Sequence, residues 1–179
     1  KGFFLDIGAS DGYHLSNTRY FLEKGWGGLM FDADNKGNND VIEVIVSKDS
    51  IFEMDEDVDL LSIDIDGNDH HVFKSLTHDC TVVIIEYNSH YSKEEEVYMV
   101  ENEAGHIGGE TSYSASYKAM RKIAEEKGYF LYKEMAHCNL IFIKKEYENL
   151  FEKFDENTLS LPNKWGFPRN EVRKMIYVN

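Results

Sequence analysis

Residues 3–12 read Phe-Phe-Leu-Asp-Ile-Gly-Ala-Ser-Asp-Gly, and this stretch decides the fold class. An apolar run of this kind is typical of a buried parallel strand. The glycines that follow it let the chain turn sharply and let a ligand approach the backbone closely. The stretch therefore predicts a parallel strand over residues 3–8 that leads directly into a ligand-binding turn.

The charge of this turn indicates which ligand it accepts. Asp6 and Asp11 place negative charge on either side of it, whereas loops that hold phosphates present bare backbone N–H groups and basic residues. The turn thus favours a hydroxyl-rich or cationic nucleoside, and S-adenosylmethionine (SAM) has a ribose, an ammonium and a sulfonium. Because the spacing is not Gly-x-Gly-x-x-Gly, a nicotinamide-dependent oxidoreductase is the weaker alternative.

Composition limits the classes of protein to consider. The chain has 179 residues, of which 42% are hydrophobic and 29% charged, and its formal net charge is −14. The length predicts one domain over residues 1–179. The negative charge argues against nucleic acids and anionic membranes as partners. The two cysteines, Cys80 and Cys138, form no paired motif, so we expect reduced thiols in a cytoplasmic protein. No apolar run is long enough to span a bilayer.

Strand and helix patterns alternate along the chain and predict a doubly wound, mostly parallel, Rossmann-like α/β sheet with a C-terminal antiparallel hairpin. The predicted strands cover residues 3–8, 28–32, 41–46, 59–64 and 81–87, and the hairpin covers 129–135 and 139–145. The predicted helices cover residues 14–24, 70–76, 114–127 and 146–154, the first with Leu15 on its inner side.

Two segments depart from this alternation. The connection over residues 33–40 is too short for a full crossover helix. Residues 89–113, which contain Gly105, Gly108 and Gly109, form a long insert after the fifth strand. Inserts of this length in compact domains are usually functional lids or disordered segments, and we expect a lid over the substrate. The core then covers residues 3–145, followed by a tail over 146–179.

Acidic residues concentrate where the predicted strands end, which is where open α/β sheets bind ligands. They are Asp6, Asp32, Asp64, Asp66 and Glu86. A single acid at a strand end commonly caps a helix or faces water, but several like charges together are costly without a partner. An acid that ends the second strand, here Asp32, is placed to accept hydrogen bonds from ribose hydroxyls.

Asp64 and Asp66 suggest two kinds of chemistry. If both lie in a strand, their side chains share one face, and a close carboxylate pair shares a proton or binds a cation. With Glu86 nearby, Mg²⁺ is possible. Alternatively, Asp64 contacts the cofactor and Asp66 only forms the turn into the next helix. His90 is a candidate general base near neutral pH, as are the histidines at positions 70 and 71.

Several of these stretches together resemble the FkbM-like branch of the SAM-dependent methyltransferases, which have a Rossmann-like fold. The first motif matches Phe-Leu-Asp-Ile-Gly-Ala-Ser-Asp-Gly-Tyr-His-Leu-Ser-Asn-Thr over residues 4–18. The second-strand motif matches Gly-Trp-Gly-Gly-Leu-Met-Phe-Asp over 25–32. Leu-Leu-Ser-Ile-Asp-Ile-Asp-Gly over 60–67 and Val-Val-Ile-Ile-Glu-Tyr-Asn over 82–88 are similar to the fourth and fifth strands, and the resemblance extends over residues 3–145.

The resemblance implies methyl transfer from SAM by direct displacement, and the expected acceptor is a hydroxyl on a sugar or small molecule. The implied cofactor-binding residues are Asp6, Gly8, Ser10, Asp11, Asn17, Thr18, Asp32 and Asp64, with Ser47 and Asp49 as candidates for the adenine edge. The candidate catalytic residues are Asp64, Asp66, Glu86 and His90, and a divalent cation would be held by Asp64, Asp66 and Glu86. A SAM-fold module that binds without catalysis is the alternative function.

Overall fold

The computed structural model of the chain describes residues 1–50, 52, 56–101, 111–162 and 173–178. Within this part, the chain forms nine strands and three α-helices. They are β1 (Phe3–Ile7), α1 (Arg19–Glu23), β2 (Gly27–Asp32), β3 (Val41–Glu43), β4 (Leu60–Ile63), α2 (Asp69–Ser75), β5 (Val82–Glu86), β6 (Glu96–Met99), α3 (Tyr117–Glu126), β7 (Tyr129–Met135), β8 (Asn139–Lys144) and β9 (Met175–Val178). Two 3₁₀ turns, Lys145–Leu150 and Glu156–Thr158, follow β8.

The central feature is a seven-stranded sheet with the order β3-β2-β1-β4-β5-β8-β7. Strands β1 to β5 pair in parallel, whereas β8 pairs with β5 and β7 in the antiparallel sense. The prediction of a mostly parallel sheet with a C-terminal antiparallel hairpin is confirmed. From β1, the next strands β2 and β3 are added on one side of the sheet, whereas from β4 the next strand, β5, is added on the other side. Ligands of open α/β sheets bind where the order reverses in this way, so the crevice beyond the carboxyl ends of β1 and β4 is the expected ligand position.

Apolar side chains cover both faces of this sheet, because successive residues of a strand point to opposite faces. Leu5 and Leu61 belong to one buried cluster, to which α2 and α3 also contribute. Phe4 and Leu60 belong to a second cluster, against which Phe21 of α1 packs. The apolar runs seen in the sequence are therefore strands buried on both sides, as expected for the parallel part of a sheet.

Helix α1 is shorter than the predicted helix over residues 14–24. Leu15 was expected to face the core, but it has a φ of +54° and its exposed fraction is 88%. Side chains bind the backbone donors that a helix here would need. The Asp11 carboxylate accepts hydrogen bonds from residues 13 and 14, and Ser16 Oγ accepts two from residues 18 and 19. Such local bonds compete with helix formation, so α1 begins at Arg19.

Two other elements are shorter than predicted. Strand β3 was expected over residues 41–46, but β2 ends at Asp32, opposite Glu43, so the following residues have no parallel partner in β2 to extend the ladder. The tail helix expected over residues 146–154 is a 3₁₀ turn, Lys145–Leu150, without buried residues. Leu150 is exposed and Phe151 packs beside the rings of Phe130 and Tyr132, whereas Phe154, farther along the same segment, packs against the core.

A second, two-stranded sheet was not predicted. It pairs β6, which lies in the insert over residues 89–113, with β9, which lies in the tail. The insert is folded onto the protein in its described part, since Tyr91, Val97 and Met99 are buried. Residues 102–110, with the three glycines that motivated the lid, lie outside the described residues, and the lid stays a prediction.

Two further expectations concern the cysteines and membranes. Cys80 and Cys138 are both free thiols. Among the described residues the longest helix, α3, has ten residues, and none of the described helices combines the length and apolar character needed to cross a bilayer.

Candidate active site

Four adjacent parallel strands bring acidic side chains to the same edge of the sheet. Asp32 ends β2, Asp6 lies in β1, Asp64 follows β4 and Glu86 ends β5. These groups influence one another: burial, and to a lesser extent the charge of Asp32, raises the pKa of Asp6. Burial and the neighbouring acids, including Asp6, raise the pKa of Asp64. The predicted row of acids at the carboxyl edge therefore exists.

The turn after β1 passes very close to the end of β4. Gly8 has a φ of +91°, and a Cβ atom at this position would lie 1.7 Å from the carbonyl oxygen of Asp64. On its other side, the backbone N–H groups of Gly8 and Ala9 both donate to the Phe31 carbonyl of β2, at 2.8 and 3.0 Å. No side chain fits at Gly8, which allows the sharp turn and the close contact between the two strand ends. The approach of a ligand to this backbone stays a prediction.

Asp32 is held in a defined orientation beside this turn. The Ser10 N–H donates to Asp32 Oδ2 at 2.7 Å, and the Asp34 N–H donates to Oδ1 at 2.9 Å. Each carboxylate oxygen has more than one lone pair and can accept a further hydrogen bond. Because Asp32 is partly exposed, it can still accept ribose hydroxyls. Ser10 thus positions Asp32 through its backbone.

Three of the predicted cofactor-binding residues bind other protein groups. Thr18 Oγ1 donates to Asp6 Oδ2 at 2.5 Å, and both side chains are buried. Asn17 Nδ2 donates to Ser62 Oγ of β4 at 3.2 Å. These bonds attach the segment before α1 to β1 and β4. Asp6, Asn17 and Thr18 therefore hold the turn in place, and their direct contact with a cofactor stays a prediction.

The remaining predicted cofactor residues lie around the turn and a nearby cleft. The Asp11 carboxylate accepts hydrogen bonds from the backbone of His14 and Tyr13, and these lower its pKa. Ser47 and Asp49 line a cleft of about 650 Å³, which Asn68 of the β4–α2 connection also lines. The structure thus places Ser47 and Asp49 beside the loop that follows β4, and their contact with the adenine stays a prediction.

The arrangement with Asp64 and Asp66 on one face of a strand is wrong, whereas the alternative, in which Asp66 forms the turn into the next helix, agrees with the structure. Strand β4 ends at Ile63, so the two-residue period that would place both carboxylates on one face does not continue through them. Asp66 is exposed and has a φ of +55°, in the turn before α2. The second buried carboxylate is Asp69, which was not predicted; it accepts hydrogen bonds from the N–H groups of Ile65 at 2.8 Å and Gly67 at 3.0 Å.

Asp64, Asp69 and Glu86, here called the carboxylate cluster, each offer an oxygen, and these oxygens lie within 4.8 Å of one another. Burial, reinforced by Asp69, raises the pKa of Asp64 to about 8. Burial raises the pKa of Asp69 to about 6, and burial with the charge of Asp64 raises that of Glu86 well above its usual range. Carboxyl groups in this state hold protons or are neutralised by a cation.

Polar and aromatic side chains surround the carboxylate cluster. Asn139 lies opposite Glu86 in the β5–β8 ladder, and its amide lowers the pKa of Asp64 against the larger effect of burial. Tyr113 has a raised pKa because it is buried and lies near Glu86. The His90 ring packs edge-on against the Tyr113 ring, with 6.2 Å between the centroids. His90 is therefore buried in the neighbourhood of the cluster, as a catalytic role for it requires.

Asn88 closes the base of the insert. Its Nδ2 donates to the carbonyl oxygens of Thr111 and Tyr113, at 2.8 and 2.9 Å, and its Oδ1 accepts from the His90 N–H at 3.1 Å. These bonds join the two ends of the segment that follows β5. Asn88 therefore has a structural role, because its hydrogen bonds position His90 and Tyr113.

The two histidines of α2 differ from His90. Burial, followed by the charge of His71, lowers the pKa of His70 to about 3. A base with so low a pKa holds a proton poorly near neutral pH. His71 pairs through Nε2 with the Met99 carbonyl of β6 at 3.0 Å. Among the histidines considered as bases, the structure favours His90.

The comparison with family models gives a match over residues 34–131 to the methyltransferase FkbM domain. The match covers more than half of the chain. The chain belongs to the FkbM methyltransferase domain family. The resemblance stated from the sequence is thereby confirmed. The part that matches the FkbM domain begins after Asp32 and includes the whole carboxylate cluster, and the turn at Gly8 precedes it.

Comparison with solved structures finds a chain that is similar in part to this FkbM-domain chain. It is a variant of LepI in complex with SAH and a substrate analogue, with a TM-score of 0.45 and 14% sequence identity. The match covers 81% of this chain and 43% of the LepI chain, so this chain spans less than half of that protein's length. A search of curated protein sequences found no significant match.

Proposed function

We propose that this FkbM-domain chain is a SAM-dependent methyltransferase that methylates a hydroxyl oxygen on a sugar or other small-molecule acceptor. The observation that carries the proposal is the contact between the Gly8 turn and the end of β4, at the point where the strand order reverses. This crevice is where open α/β sheets bind nucleosides. The proposal includes the doubly wound arrangement of the sheet that the sequence predicts.

The surroundings of this contact match the parts of SAM. Asp32, oriented by Ser10, accepts the ribose hydroxyls on one side of the turn. The cleft lined by Ser47 and Asp49 receives the adenine. The cationic methionine end lies toward Asp64, because a sulfonium and an ammonium are stabilised by nearby negative charge. The reactive methyl group then faces the carboxylate cluster.

The transfer is a direct displacement at the methyl carbon. A lone pair of the acceptor oxygen forms the new O–C bond while the C–S bond breaks and its electron pair stays on sulfur, which becomes neutral. The acceptor hydroxyl loses its proton to a base, for which an ionised member of the carboxylate cluster and His90 are the candidates. Most of the catalysis is alignment of oxygen, methyl carbon and sulfur, which the rigid strand ends support.

Calorimetric titration with SAM in EDTA tests the cofactor site. Asp32→Asn removes a charged acceptor, and hydrogen bonds to charged groups contribute about 1.5–3 kcal/mol, so we expect SAM affinity to fall about tenfold or more. Asp40→Asn makes the same charge change at an exposed position outside the site and should leave the affinity unchanged. Unchanged affinity in folded Asp32→Asn, or no SAM binding by the wild type, would contradict the proposal.

Formation of SAH and of a methylated product tests the reaction. The wild-type chain is incubated with SAM and with sugars and small-molecule alcohols, and both products are measured by mass spectrometry. We expect SAH to form only with an acceptor that gains one methyl group on oxygen. Tight SAM binding without methyl transfer to any hydroxylated acceptor would favour the alternative of a SAM-binding module.

A further inference from the structure

The carboxylate cluster places three acids where water has little access. Asp69 is fully buried, Glu86 is nearly so, and Asp64 is only partly exposed. Three ionised carboxylates at this separation repel one another strongly in a medium of low dielectric constant. The cluster therefore needs positive charge, which either protons or a metal cation can supply.

A second observation points to a ligand among these acids. Asn139, whose exposed fraction is 7%, has no hydrogen-bond partner for its Oδ1 atom among the residues that the structure describes, and the same holds for Oε2 of Glu86. A buried acceptor without a donor destabilises the fold. A cation at this point would satisfy both oxygens together.

The orientation of Asn139 brings its amide to the cluster. Residues directly opposite in an antiparallel ladder project from the same face of the sheet, and Asn139 is opposite Glu86. The Asn139 amide also lies close enough to Asp64 to favour its ionised form. Its unpartnered Oδ1 atom is therefore available beside the carboxylates as an additional oxygen ligand.

We infer that Asp64, Asp69, Glu86 and Asn139 form a binding site for a hard divalent cation such as Mg²⁺ or Mn²⁺. The donor set is entirely oxygen, which suits these cations and disfavours the softer metals that prefer sulfur and imidazole. The site differs from the set Asp64, Asp66 and Glu86 expected from the sequence, because Asp69 takes the place of Asp66 and Asn139 adds an amide oxygen.

The position of the site gives the cation a role, and this step rests on the proposed function. The carbonyl group of Asp64 borders the Gly8 turn, so the cation would lie next to the methyl group of bound SAM. Mg²⁺ usually keeps coordination positions for waters and substrate oxygens. The acceptor hydroxyl would take one of these positions, and the cation would orient the oxygen toward the methyl carbon.

Binding of Mn²⁺ to the EDTA-treated full chain, without SAM or acceptor, tests the site directly. Electron paramagnetic resonance measures free Mn²⁺ during the titration. We expect saturable binding of one Mn²⁺ per chain, displaced by Mg²⁺. Glu86→Gln should weaken the binding at least tenfold, because it replaces a charged ligand. Glu43→Gln makes the same change at an exposed position of β3 and should bind like the wild type.

Failure to bind Mn²⁺ by the folded wild type, or equal affinity in Glu86→Gln, would overturn the inference. If Glu86→Gln does not fold, Asn139→Ala is titrated in the same way: weaker binding supports the four-ligand site, and equal binding overturns it. The SAM titration in EDTA and the Mn²⁺ titration without SAM are independent. Loss of either result therefore identifies which of the two proposals has failed.

Discussion

Gly8→Ala is the substitution that most directly tests how the turn after β1 is held against β4. An alanine at a φ of +91° lies in the left-handed region, which costs a non-glycine residue about 1–2 kcal/mol. Gly128, just after α3, has a φ of +86°, and a Cβ atom there would meet nothing within 4 Å. Gly128→Ala therefore carries the backbone cost alone and is the matched control.

The additional cost at Gly8 comes from a backbone contact. The new Cβ would lie 1.7 Å from the Asp64 carbonyl oxygen, whereas ordinary contacts begin at 3.4 Å. No side chain can rotate away, so the ends of β1 and β4 must separate. Forced packing of this kind costs about 1–3 kcal/mol. The separation also strains the 2.8 Å hydrogen bond from the Asp64 N–H to the Ile7 carbonyl, and this adds about 1 kcal/mol to the loss of stability.

We therefore expect Gly8→Ala to lower the free energy of unfolding by about 3–6 kcal/mol and Gly128→Ala by about 1–2 kcal/mol. Urea unfolding of the wild type and both variants, followed by circular dichroism, measures the two losses. A Gly8→Ala variant that does not fold while Gly128→Ala does agrees with the upper end of the range. If the two variants lose the same free energy, the contact between Gly8 and Asp64 has been misjudged.

Three more predictions concern buried polar groups, and urea unfolding checks each of them. Thr18→Val leaves buried Asp6 without its hydroxyl donor and should lower the free energy of unfolding by about 1–3 kcal/mol. Thr158→Val, at an exposed position, should lower it by less than half of this, and equal losses would contradict the expectation. Tyr129→Phe removes the 2.7 Å bond to the Cys80 carbonyl and should cost about 1 kcal/mol, more than Tyr20→Phe on the surface; no difference between them would contradict it. In EDTA, the raised pKa values of the carboxylate cluster mean that the folded chain binds protons more tightly than the unfolded chain, so the free energy of unfolding should fall as the pH rises from about 5 to about 9. A rise over this range in the wild type would contradict that sign, and Glu86→Gln should show a smaller fall.

The main sheet was predictable because its strands are buried on both faces. Runs such as residues 82–86, Val-Val-Ile-Ile-Glu, are apolar without alternation, which is the pattern of parallel strands inside an α/β sheet. The small sheet was not predictable for the opposite reason. Strand β9 pairs with β6 across nearly eighty residues of chain, and its residues Ile176 and Tyr177 are exposed. Neither local turn chemistry nor a buried face marks this pairing.

The site was predictable where the acids follow strands. Asp32, Asp64 and Glu86 were recognised because the carboxyl ends of parallel strands meet at one edge. Asp69 lies in the first turn of a helix, where an acid ordinarily indicates only favourable capping. Its true position depends on the left-handed turn at Asp66, which directs the chain back so that Asp69 meets the N–H groups of Ile65 and Gly67.

Asp69 also connects the fold of the site with its chemistry. Its two backbone hydrogen bonds close the loop after β4, and the same burial raises its pKa from 3.8 to about 6. Burial thus disfavours the ionised form of Asp69. An asparagine would form one of the two bonds without this cost, and perturbed acids of this kind concentrate at functional sites. A cationic partner at the carboxylate cluster, as inferred above, would offset this cost and would explain why position 69 holds an acid.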